Sequence, residues 1–303
     1  MKALLGIERG SGHENAIRLL RQLDFPDLTV DLLHCIPLSA TDSRFPDGLS
    51  EEAPPSSHHA TLESEGREAL EVAKRFASEH GIQAQTWMTS GNPARALVEF
   101  ADKHESNLII VCPSPKGSIR TFLMGSTSRA VVAGANQSIL VVKGISESSN
   151  GLKAVIATDH SPYFDQCIEE LIRLAPRGID AATLVTANEI EHGVAALLVR
   201  GLPALSHEAP KWIAEKLVEL SNQTAEKLKS IAPSIEIKIV DGHPNDVIHD
   251  VMISTGSELV IMGAQGHGFF HRLKFGSKSL HQVVSESYSV FILRVPSKDS
   301  SKA

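Results

Sequence analysis

The sequence is poor in the features of oxidised, basic or membrane-bound proteins. Only three of 303 residues are cysteine, Cys35, Cys112 and Cys167. They are too few and too scattered for a disulfide framework or a four-cysteine zinc site. An odd number of thiols with apolar neighbours suits a reducing compartment. Positive charge is not in excess either: 29 Lys and Arg stand against 36 Asp and Glu, a formal charge of −7. Residues 1–150 hold 14 basic against 18 acidic residues and the remainder 15 against 18. An even acidic surplus disfavours binding along a phosphate backbone, so nucleic acid is not the expected partner. No apolar run approaches the roughly 20 residues of a membrane helix. The chain starts directly with the strand-like Lys2-Ala-Leu-Leu-Gly-Ile7 rather than a signal-peptide pattern. The expectation is a cytoplasmic protein without a membrane partner.

With 42% apolar and 21% charged residues the chain has an ordinary globular balance, and its length suits two domains. Sliding it against itself by 151 residues brings features into coincidence from end to end. Lys2-Ala3 falls on Lys153-Ala154, and Glu8 on Asp159. Gly91-Asn-Pro93 falls on Gly242-His-Pro244, Gly125-Ser126 on Gly276-Ser277, and Ser138 on Ser289. Agreement is poor between residues 37 and 80. One register held throughout marks a tandem duplication, with domains at 1–146 and 152–297 and a linker at 146–151.

Each half alternates strand and helix. Ala154–Ala157 is a short buried run, followed by helix-spaced Phe164, Ile168, Leu171 and Ile172. Strands follow at 182–186, 235–239, 259–262 and 290–295. Ile235, Ile237 and Ile239 alternate with charge, as on a half-exposed edge. A helix with Leu217, Leu220 and Leu228 on one side precedes that edge. Pro244 suits the first turn of the next helix. The first half places strands near 2–7, 29–35, 84–89, 107–112 and 138–143. Strands separated by helices imply an α/β fold: two tandem doubly wound parallel five-stranded sheets flanked by helices. Such sheets bind ligands beyond the carboxyl ends of their strands, where strand order reverses.

At that position the second half reads Gly263-Ala-Gln-Gly266, then nine residues, then Gly276-Ser277. Glycines permit positive φ and let a phosphate approach backbone N–H groups, and Ser277 reads as the N-cap of a following helix. A three-glycine loop alone is also common as plain structure. With the acid after strand one, however, this spacing resembles the universal stress protein family in its tandem form, over nearly the whole chain. The resemblance implies an adenine-nucleotide site in the second domain, taking ATP, with Mg²⁺ as its companion ion. Gly263, Gly266, Gly276 and Ser277 would hold phosphate and ribose, with Ser279 as a further phosphate-side residue. Asp159 would receive the adenine amino group, Thr158 matches a small polar residue of the family, and Thr186 would meet the adenine rim. Asp159 also reads as a helix N-cap before His160-Ser-Pro162.

The first half departs from the pattern, with Cys112 at the register of Gly263 and Pro115 at that of Gly266. Proline removes an N–H, so this half reads as degenerate for ATP and as completing the assembly. The apolar strands 138–142 and 289–293 are the expected pairing edges within one chain, around a pseudo-twofold axis. A homodimer and a protein partner are left open. No Walker Gly-Lys-Ser motif and no Gly-x-Ser-x-Gly elbow occurs, and no catalytic residue is assigned. Slow ATP hydrolysis and a nucleotide-free scaffold stand as alternatives to regulated nucleotide binding in a stress response. His58-His59 read as a polar loop and the thiol of Cys112 as buried rather than redox-active. His160, His243 and His267 read as loop histidines rather than zinc ligands. Apolar residues 193–205 read as a lid or packing segment.

Overall fold

The computed structural model describes residues 1–8, 10–37, 57–113, 124–144, 151–188, 209–265, 282 and 285–295. The chain divides into two compact units, one largely from Asp27–Lys143 with Met1–Arg21, the other largely from Gly144–Val295.

The first unit runs β1 (Lys2–Gly6), α1 (Gly12–Leu23), β2 (Thr29–Pro37), α2 (Ser57–Glu79), β3 (Gln83–Gly91), α3 (Pro93–Lys103), β4 (Leu108–Val111), α4 (Ser126–Gly134) and β5 (Ser138–Val141). Its strands lie in the order β3-β2-β1-β4-β5, all parallel. Leu4, Leu5, Ile109 and Ile110 on the central strands are fully buried, which is why these segments read as unbroken apolar runs. The outer strand β3 alternates instead, and its Trp87 Nε1 donates to buried Asp31 of β2 at 2.8 Å. The Lys2 ammonium of β1 lies 3.3 Å from the other oxygen of that carboxylate.

The second unit runs β6 (Leu152–Thr158), α5 (Pro162–Leu174), β7 (Ile179–Asn188), α6 (Ala209–Leu228), β8 (Ser234–Asp241), α7 (Pro244–Thr255), β9 (Leu259–Gly263) and β10 (Ser289–Leu293). Its order, β8-β7-β6-β9-β10, is again all parallel. The duplication is therefore structural: β1/β4 and β6/β9 are the same switch point in two copies. The alternating strand β8 is the outer one, as Ile235, Ile237 and Ile239 predict. Pro244 opens α7 behind the N-cap His243.

One local expectation is corrected. Ser57–Glu79 is helical, so His58-His59 belong to the first turn of α2 and not to a loop.

Candidate functional site

In the second unit, β6 ends at Thr158 and the chain turns sharply into α5. The Thr158 hydroxyl accepts from the His160 amide at 3.0 Å, and Asp159 Oδ1 accepts from the Ser161 amide at 3.0 Å. Ser161 is the N-cap of α5, accepting from the Phe164 amide at 3.1 Å, with Pro162 in the first turn. The expectation that Asp159 itself caps the helix is corrected. Its carboxylate instead braces the turn one step earlier, because two residues separate it from the first helical position.

Between them His160 adopts a left-handed φ of 53°. That conformation is uncommon for a residue with a Cβ, and it accompanies a specific placement of the ring. Nε2 of His160 lies 2.9 Å from the Thr186 hydroxyl at the end of β7 and 3.1 Å from the Ser221 hydroxyl of α6. Thr186 and Ser221 are 2% and 0% exposed. Thr158, Asp159 and Thr186, read from the sequence as one site, are thus connected through two residues the sequence reading left out of it, His160 and Ser221. A signal existed for Ser221. Leu217, Ser221, Thr224 and Leu228 follow the 3.6-residue period, with Ser221 and Thr224 buried at positions an apolar stripe would fill.

Gly263 ends β9, beside β6. A Cβ there would stand 3.3 Å from the Gln265 carbonyl oxygen and 3.5 Å from both Cys167 Sγ and Phe164 Cδ2. The two contacts with α5 are at ordinary van der Waals distance and only the Gln265 carbonyl is tight; Gly263 does not have a left-handed φ, which corrects the positive-φ rationale at this position. Gly266, Gly276, Ser277 and Ser279 lie outside the described residues, as do His267, the segment 193–205 and Pro115. His243 caps α7, its Nδ1 accepting from the Asn245 amide at 3.4 Å. Among the described residues no group of three or more His, Cys, Asp or Glu is arranged to hold a metal ion.

The same strand ends in the first unit enclose a cavity of about 290 Å³. By the 151-residue register Glu8, Cys35 and Cys112 stand where Asp159, Thr186 and Gly263 stand in the second unit, and all three line it. His34 donates from Nδ1 to the Ile7 carbonyl at 2.9 Å, which leaves Nε2 as the acceptor of the neutral ring. That ring lies under α2, where a Cβ on Gly66 would come within 2.5 Å of it. Burial, and secondarily the Glu8 carboxylate, push the Cys112 thiol up to about 12. That shift favours the protonated thiol over the thiolate.

Two doubly wound α/β units, each with polar or thiol side chains at the switch point of its strand order, define the class. The profile described as the universal stress protein family matches residues 1–143 and again 152–289, and the chain belongs to that family, in tandem form. A universal stress protein of Methanocaldococcus jannaschii is 39% identical over 82 residues, 27% of this chain and 48% of that one. The chain therefore spans about half of that relative. One of Mycolicibacterium smegmatis is 22% identical across 96% of both chains. The crystal structure of a universal stress protein from Archaeoglobus fulgidus aligns with a TM-score of 0.65 at 15% identity, over 97% of this chain and 98% of that one. At that identity the likeness concerns the fold.

Among the described residues no helix is long and apolar enough to cross a membrane.

Proposed function

We propose that the chain is a stress-response protein whose second domain, at 152–297, binds an adenine nucleotide at the carboxyl ends of β6, β7 and β9. The observation that carries this reading is the clustering of Thr158, Asp159, His160 and Thr186 around one strand-order switch point, the place where such sheets bind ligands. In this reading Asp159 accepts the adenine amino group. A carboxylate has two oxygens with room for several donors, so the Ser161 bond is compatible with that role. The Thr186 segment meets the adenine rim. Gly263 lets the chain leave β9 close against α5, and Gly266, Gly276, Ser277 and Ser279 supply backbone N–H groups and hydroxyls for ribose and phosphate. ATP is the proposed nucleotide, and Mg²⁺ would share the phosphate charge. The first domain, 1–146, carries no nucleotide in this reading, because Cys112 and Pro115 replace two of the glycines.

Asp159→Ala tests the assignment. Calorimetry should show ATP affinity falling by roughly tenfold, the value of one hydrogen bond to a charged group, with inorganic triphosphate affinity unchanged. Equal losses for both ligands would reduce Asp159 to a brace of the α5 turn.

A further inference from the structure

The outer strands of the two units differ in how their edges are protected. An edge strand carries a row of backbone N–H and C=O groups that a further strand can pair, and proteins blunt such edges with charge, proline, bulges or shortness. In the second unit β8 carries Glu236, Lys238 and Asp241, with the Lys238 ammonium 3.5 Å from the Glu236 carboxylate. In the first unit β3 reads Gln83-Ala-Gln-Thr-Trp-Met-Thr-Ser-Gly91, nine residues without a charge or a proline. Its register with β2 runs unbroken from the Thr29–Gln83 pair to the Pro37–Gly91 pair, so no bulge bends it away. Among the described residues β2 is the one strand paired with it.

Trp87 is the middle residue of this strand. Its indole is already held, because Nε1 donates to Asp31 and the ring meets Phe100 and His104 edge-on at 5.4 and 5.1 Å between centroids. It is nevertheless 37% exposed. A fixed aromatic ring with an open rim gains contact area at little entropic cost. The sequence of β3 selects a copy of itself as the neighbour. Around a twofold axis residue i meets j wherever j meets i. Antiparallel overlap of all nine residues sets Trp87 against its counterpart, Gln85 against Thr89 and Gln83 against Gly91, all on one face by the period of two. An aromatic pair lies at the centre, and no like charges stand opposite one another.

We propose that the chain forms a homodimer in which β3 pairs antiparallel with β3 of a second copy around a twofold axis at Trp87, continuing the sheet of the first unit across the interface. This is independent of the nucleotide reading, which concerns strand ends of the second domain. The first domain then has a role of its own, as the half that joins two chains.

Sedimentation equilibrium of the full chain tests this, with a dimer expected at micromolar concentration. Gln85→Lys combined with Thr89→Lys sets lysine against lysine twice across the axis and should weaken the dimer by about tenfold or more. Gln85→Lys combined with Thr89→Glu sets lysine against glutamate instead and should restore most of the native affinity. Should the double-lysine variant not fold, hydrogen exchange of the native chain decides. Amides of Gln83–Gly91 should gain protection as the concentration rises through the dimerisation range, while those of Ser234–Asp241 do not. A native-strength dimer in the double-lysine variant, or no recovery in the lysine–glutamate variant, would overturn the proposal. So would a dimer that forms without added protection of β3. A chain that stays monomeric, with β3 protected equally at every concentration, would show the edge covered from within and overturn it too.

Discussion

The imidazole of His160 ties the end of β6 to the end of β7, with Nε2 2.9 Å from the Thr186 hydroxyl. The same nitrogen lies 3.1 Å from Ser221, so strand, strand and helix α6 meet at one ring atom. A network this buried is worth most when each member is satisfied. The left-handed backbone at His160 is the conformational cost of placing the ring there.

His160→Ala should therefore destabilise the protein by about 1–3 kcal/mol, since it leaves two buried hydroxyls with only each other. Replacing the hydroxyls as well, with Thr186→Val and Ser221→Ala, should recover part of that loss. Urea denaturation of the single and combined variants measures this coupling. Strictly additive losses would mean that the ring and the hydroxyls do not act together.

Gly66 is a second point where one atom decides. A methyl group there would come within 2.5 Å of the His34 ring, and the Nδ1 bond to the Ile7 carbonyl restrains that ring. Gly66→Ala lies in a helix, where alanine is favoured by roughly 1 kcal/mol. The collision should outweigh this gain and give a net loss of about 1–2 kcal/mol. A melting temperature equal to or above that of the native protein would show that the ring yields without cost.

His13 gives the stability a pH dependence. It is 8% exposed, neither ring nitrogen has a well-formed hydrogen bond among the described residues, and Phe76 meets it edge-on. Burial lowers its pKa, opposed by the Gly10 backbone and the Glu14 carboxylate. The unfolded chain therefore takes up this proton first. Its contribution to stability is complete above the unfolded value of about 6.5 and is lost as the pH falls below it. At the repeat register the second unit has Phe164. His13→Phe should flatten the decline in melting temperature between about pH 7 and pH 5. An unchanged decline would assign the slope to other groups.

Much of this architecture is legible in the residues, because parallel sheets impose simple patterns. Central strands such as Leu259–Gly263 are buried on both faces and read as unbroken apolar runs. The edge strand β8 alternates, and Pro244 marks where α7 begins. The duplication adds to this, since each switch point is seen twice. Other features depend on three-dimensional neighbours. The register of Ser221 with Leu217 and Leu228 marks it as inward-facing, but that it faces His160 is seen only in three dimensions. Asp159 and Ser161, two residues apart, are both good capping types, and only the backbone path decides that Ser161 caps α5 while Asp159 accepts from the Ser161 amide. The glycine at 263 suggests a left-handed turn, whereas its φ is not positive and the one tight approach to a Cβ there would come from the Gln265 carbonyl. A cavity is space that side chains fail to fill, and no spacing rule along the chain reports it.

The division of labour between the halves is the central claim, and equilibrium binding of radiolabelled ATP to the intact chain tests it most directly. The predicted result is saturation at about one nucleotide per chain, lost in Gly276→Val while Cys112→Gly leaves it unchanged. A stoichiometry of two would contradict the reading of the first domain as unable to hold nucleotide. No retained ATP at any concentration would contradict the assignment of Asp159, Thr186 and the glycine loop to a nucleotide site.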